Sequence, residues 1–198
     1  MKLTKKYGSS RVDAVLADIG LGVSNRPVTP LKNGDWYEQG GVIYFKVVSD
    51  GTTGEEWIKR LEVDGRVLTE EVKKLLCSPK FQPTSGVETK VSMIRGSMFS
   101  DEERVCGMVY YQAEKRNLSK LNPEIACLIC EKFPNEENMK MDIFWIVVMH
   151  DPIKLDDGQS YVLCVSHDDN IRQLRTRIVN PTRRWGSSHG FAFGDCPK

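Results

Sequence analysis

Ile143-Phe144-Trp145-Ile146-Val147-Val148-Met149-His150 is the most apolar run in the chain, rich in β-branched and aromatic residues and bounded by Asp142 and by Asp151-Pro152. A run so short and so uniformly apolar predicts a strand buried on both faces. Such a strand belongs at the centre of a sheet, and the rest of the chain is read outward from it.

Immediately downstream, Asp157-Gly158 is a hairpin-turn dipeptide that leads into Tyr161 to Val165, a second strand. Ile171 to Arg184 reads as an arginine-rich connection, and Gly190 to Phe193 as a last short strand. Upstream, Val42 to Val48 is another strongly apolar strand. Thr53 and Glu56 have capping-box spacing, with Trp57, Ile58 and Leu61 as the apolar stripe of a helix that Asp64-Gly65 ends. Thr69 opens a further helix with Val72, Leu75 and Leu76 inward, stopped by Ser78-Pro79. Val87, Thr89, Val91 and Met93 alternate with Glu88, Lys90 and Ser92, predicting a strand with one wet face. Ser100 and Glu103 form a second capping box, predicting the longest helix to about Leu118. Asn122-Pro123 starts a helix whose inner stripe is Ile125, Leu128 and Ile129.

Strands separated by helices, with an antiparallel hairpin, predict an α+β fold: one domain over residues 41–198, a mixed sheet centred near 143–150, and helices packed on it. Residues 1–40 stand apart. Val12, Val15, Leu16 and Ile19 mark one face of a helix capped by Ser10. A loop follows, with Gly20, Gly22, Gly34, Pro27 and Pro30, so this segment reads as a docking arm.

Composition narrows the function classes. The formal net charge is +1, so no whole-molecule field favours nucleic acid or membrane, and an electrostatic partner needs a local patch. No segment approaches the roughly 20 apolar residues that cross a bilayer. Met1 to Tyr7 has no apolar stretch behind it and does not read as a secretory signal. The six cysteines are scattered through apolar segments, which fits reduced thiols in a cytoplasmic compartment.

Four places are candidates for chemistry. The loop Gly51-Thr52-Thr53-Gly54 joins a buried strand to a helix, where free amides and a dipole suit an anion. It lacks a Gly-Lys-Ser/Thr ending, and Asp50, Glu55 and Glu56 would repel such a ligand. Cys127-x-x-Cys130 with Cys164-x-x-His167 supplies a zinc-type ligand set. On a one-sided helix Cys127 falls outside the apolar arc, and on a regular strand Cys164 and His167 point to opposite faces. The C-terminal stretch carries Arg172, Arg175, Arg177, Arg183 and Arg184 with Trp185, and no acidic residue falls between Ile171 and Gly194. Arginine clamps phosphate and stacks on bases, so this is the composition of a nucleic-acid surface; the plainer reading is a solvated face. The fourth is the set His150, His167 and His189, none of which sits in a catalytic motif.

Within the third place, His189-Gly190-Phe191-Ala192-Phe193 resembles the start of the RNP1 strand of RNA-recognition motifs over five residues only. His189 replaces the usual basic residue, and no further helix and strand follow to complete that domain, so none is expected. Ser-Asp-Gly-Thr-Thr-Gly at 49–54 and Trp-Ile-Val-Val-Met-His at 145–150 are similar to strings in short bacterial open reading frames of unknown function. That resemblance, spanning Gly41 to Phe193, implies a bacterial or phage cytosolic setting and transfers no site residues.

The expectation is therefore a small intracellular binding protein with a protein partner, no cofactor and no catalytic residue. The alternatives are a nucleic-acid binder using the arginine-aromatic stretch, and an enzyme with an anion site at 49–54.

Overall fold

The apolar run does form the middle of a sheet. In the computed structural model, which describes residues 36–133, 140–168 and 171–195, Trp145–Val148 is a strand (β5) whose Ile146, Val147 and Val148 are buried. The arm helix expected over 12–19 and its loop lie outside the described residues. The other strands are β1 (Trp36–Gln39), β2 (Val42–Asp50), β3 (Ser85–Arg95), β4 (Leu118–Ser119), β6 (Ile153–Lys154), β7 (Ser160–Asp168), β8 (Ile171–Ile178) and β9 (His189–Asp195). They form one nine-stranded mixed sheet in the order β1-β2-β3-β9-β5-β7-β6, with β4 beside β9 and β8 beside β7.

Register fixes where β8 goes. Cys164 is matched by Val147 on one side and Arg175 on the other, and Tyr161 by Ile153 and Ile178. So β5 and β6 lie end to end along one side of β7, and β8 covers the other as an edge strand. The sequence expectation of a connection over 171–184 is corrected here. Arg172 to Arg177 forms a full antiparallel ladder with β7, although its apolar content is too low to announce a strand. β5 and β9 pair in parallel, Trp145 with His189 and Val147 with Phe191, which makes the sheet mixed.

Two layers cover the sheet. Helices α1 (Gly54–Val63), α2 (Glu70–Leu76) and α4 (Glu124–Lys132) pack on one face, with Trp57, Leu61, Leu75 and Ile129 against Ile43, Phe45, Met93, Ile146 and Leu163. Helix α3 (Cys106–Lys115) and Trp185 pack on the other, against Val147, Cys164, Phe191 and Phe193. The described residues thus build a single α+β domain.

Three local expectations change. The Thr53–Glu56 capping box is present, but the one at Ser100 and Glu103 closes only a turn. Helix α3 begins at Cys106 because Val105 is held extended by a bridge to Arg184. β3 has its wet face only in its first half, since Val91 to Ile94 are buried on both sides. In α4 every residue from Glu124 to Cys130 is buried, because the helix is enclosed by β2, β7 and β8 rather than resting on one surface.

β5 and β6 are separated by a break at Met149–Pro152, and a histidine repairs the ladder there. Leu163 N–H donates to His150 Nε2 at 2.9 Å, so Nδ1 carries the proton and donates to the Asp151 carbonyl at 2.8 Å. Burial pushes this imidazole down from 6.5 to about 4. The folded value lies below the unfolded one. The neutral ring's contribution is therefore complete above pH 6.5 and is lost as pH falls towards 4, about 3 kcal/mol in all. His150→Ala is expected to cost about 2–4 kcal/mol at pH 7, from a lost acceptor and a cavity. It should also flatten the decline of stability between pH 6.5 and 4. Urea unfolding at several pH values measures both, and an unchanged slope would exclude this role.

Candidate nucleic-acid interface

The 49–54 loop uses its own donors. Gly51 N–H donates to the Thr84 carbonyl at 2.8 Å, Thr52 N–H to Asp50 Oδ1 at 3.0 Å and Thr53 N–H to Glu56 Oε2 at 2.8 Å. Bonds from Thr52 and from Arg60 hold the Asp50 carboxyl down at about 2. Gly54 is glycine for packing, since a Cβ there would lie 1.9 Å from the Leu76 carbonyl oxygen at the end of α2. An incoming anion would have to displace two carboxylates, so this turn serves as a helix start.

The cysteine–histidine set does not converge. Cys127 and Cys130 sit on the α1/α2/α4 side of the sheet, and Cys164 on the α3 side. The expectation that Cys127 leaves the apolar arc is corrected by the enclosure of α4. Burial raises both helix thiols and pushes Cys164 up to about 12, so none is poised as a thiolate. Among the described residues no group of three or more His, Cys, Asp or Glu side chains is placed to hold a metal ion.

The arginines divide by strand alternation. Leu174 is buried on the α4 side. Arg172 shares that side and donates to the Glu131 carbonyl at 3.4 Å. Arg175 and Arg177 project from the opposite face, beside α3. Arg175 Nε donates to the buried Ser166 hydroxyl on β7 at 3.1 Å. The Arg177 guanidinium reaches across β7 and lies 3.8 Å from the centre of the Trp145 ring.

The parallel register brings the rings together. Trp145 and His189 are ladder partners, and their planes are within 13° at 6.2 Å between centroids. His189 is in turn within 21° of Phe191 at 6.4 Å. Trp145, His189 and Phe191 thus form a row of nearly parallel rings leading into the core, with the Arg177 guanidinium carbon over the Trp145 end.

The next segment brings in more charge. Asn180 Oδ1 accepts from the N–H and the hydroxyl of Thr182, both at 2.9 Å, which fixes a turn before Arg183. Trp185, only 4% exposed, anchors the far side of that turn in the core. Its backbone N–H donates to the Arg104 carbonyl at 2.8 Å, and Arg104 Nε donates to the Trp185 carbonyl at 3.0 Å. Arg183 then stands exposed 5.7 Å from the Trp185 ring, with Arg184 exposed beside Val105.

Arg175, Arg177 and Arg183 make no ion pair among the described residues, whereas Arg60, Arg66, Arg95 and Arg104 all do. Arg177 Nε is buried with no acceptor, and burial lowers that guanidinium's pKa. Burial first, then Arg177, Arg183 and Arg104, push His189 down to about 4, so its ring is neutral at physiological pH. Of the arginine–tryptophan set read from sequence, the structure gathers Arg175, Arg177, Arg183 and Trp185, leaves Arg184 at the margin, and separates Arg172. Trp145, Ser166 and the bracing Arg104 join the site only through folding, whereas His189, read from sequence within the histidine set, is brought there by its pairing with Trp145.

Replacing Arg177 with Gln should raise the His189 titration midpoint from about 4 towards 6.5, only part of the way because burial remains. Imidazole proton resonances followed against pH measure this. An unmoved midpoint would mean that Arg177 does not sit over Trp145.

Searches among known protein families, curated proteins and solved structures find no match to this chain.

Proposed function

We propose that this chain binds nucleic acid through the β8–Trp185 face, with Arg175, Arg177 and Arg183 as the charges that attract its phosphates. The observation that carries this reading is three guanidinium groups without a carboxylate partner on one face of the sheet: Arg177 over Trp145, Arg183 beside Trp185 and Arg175 on Ser166. A chain of net charge +1 has no general attraction for a polyanion, so a local surplus of this kind is selective in direction. Arginine suits the task because its planar fork meets phosphate oxygens in pairs and also stacks on rings. The site is assigned binding alone, with no bond-making step. The docking-arm reading covers residues 1–40, of which 1–35 lie outside the described residues and Trp36–Gln39 is strand β1 of the sheet, and no described contact favours it over this one.

Fluorescence anisotropy with a labelled single-stranded oligonucleotide at about 50 and 200 mM salt tests the proposal. Three phosphate contacts give a slope near −2 in log affinity against log salt, so affinity should fall roughly 10–20-fold between those conditions. Changing Arg175, Arg177 and Arg183 together to Ala should abolish that slope. Arg172→Ala, on the opposite face, should leave binding within about twofold. Absence of binding at the lower salt would overturn the proposal, as would an Arg172 variant as impaired as the triple one.

A further inference from the structure

The row of rings points beyond phosphate recognition. Resting on the reading above, we infer that the ligand is taken as a single strand, with an unpaired base stacked on the outer face of the Arg177 guanidinium. The Arg177 guanidinium carbon lies 3.8 Å from the centre of the Trp145 ring, within stacking distance of it. The row behind it, Trp145 with His189 and His189 with Phe191, is parallel to within 13° and 21° and ends in the fully buried Phe191 ring. A flat cation pinned in this way is a platform for one more flat π group, and a nucleobase is the flat group that a nucleic acid offers.

The flanking charges supply the strand's backbone sites. Arg175 precedes Arg177 by two residues on the same face of β8, about 7 Å along the strand, and its guanidinium is steadied by Ser166. Arg183 stands on the fixed Asn180 turn. Arg175 and Arg183 thus offer backbone contacts on the same face as the stacked base. In a duplex each base is covered above and below by its neighbours, so a duplex would engage Arg175 and Arg183 and gain nothing from Arg177's open plane. Arg177 acts here through its shape as well as its charge.

Three probes of equal length separate the outcomes in the full-length protein: a single-stranded oligonucleotide, its duplex, and an abasic strand of the same phosphate count. The single strand should bind at least about tenfold more tightly than either other probe, the gain that stacking of one base supplies. It alone should change the tryptophan fluorescence, and that change should vanish in Trp145→Phe. Arg177→Lys keeps the charge and removes the plane; it should erase the preference for the single strand while preserving the salt slope. Arg175→Ala should weaken all three probes alike. Equal binding of single strand, duplex and abasic strand would overturn this inference and leave the nucleic-acid reading standing. Binding of none of them would overturn both.

Discussion

The parallel pairing of β5 with β9 is the constraint on which the rest of the molecule depends. Ile146, Val147 and Val148 lie between β9 and β7 and under helices on both faces, so they can be strand only where both edges and both surfaces are occupied. Fully burying each such side chain is worth about 1.5–3 kcal/mol. Parallel neighbours also need a long connection. Here it consists of β6, β7 and β8, which return the chain to β9 by way of the Trp185 turn. The same register that builds the core sets Trp145 beside His189, and the same connection supplies Arg175, Arg177 and Arg183. Core and candidate site are therefore two consequences of one ladder.

What was legible in the sequence was whatever a single residue pattern could settle. The uniform hydrophobicity of 143–150 located the centre, and Thr53 with Glu56 located a helix start because both partners of that box are local. β8 was not legible. Arg-Gln-Leu-Arg-Thr-Arg has one strongly apolar side chain, and it becomes a strand because β7 offers it a complete ladder, a tertiary effect that outweighs composition. The turn at Ser100 failed for a related reason: the local bond forms, but a distant residue, Arg184, holds Val105 extended and delays the helix. Cys127 was misplaced by treating α4 as a helix on a surface, when β8, the unrecognised strand, encloses it.

Edge strands need charge to discourage pairing with other chains, and this accounts for part of β8's composition. It accounts well for Arg172, which lies beside Glu131 and away from the rings. Arg177 is different. Its guanidinium lies 3.8 Å from the centre of the Trp145 ring, with a donor left unmet. Burial lowers the pKa of Arg172 as well, so the contact with the indole and the unmet donor, not desolvation, set Arg177 apart. The indole face offsets some of the cost of desolvation, while the buried Nε remains an unmet donor.

His189 links that cost to the row of rings. At neutral pH it is uncharged, because burial and the nearby guanidinium groups of Arg177, Arg183 and Arg104 all disfavour its proton. A protonated ring would place a further cation against Trp145 and compete with Arg177 for the same indole. The arginines that attract a polyanion therefore also keep the row aromatic and singly charged at its outer end. A bound phosphate that neutralised Arg177 and Arg183 would remove the electrostatic share of this depression and leave only the share due to burial. Occupancy of the face and the protonation of His189 are thus coupled through the same arginine groups, and by reciprocity a proton on His189 and an anion on the face each favour the other.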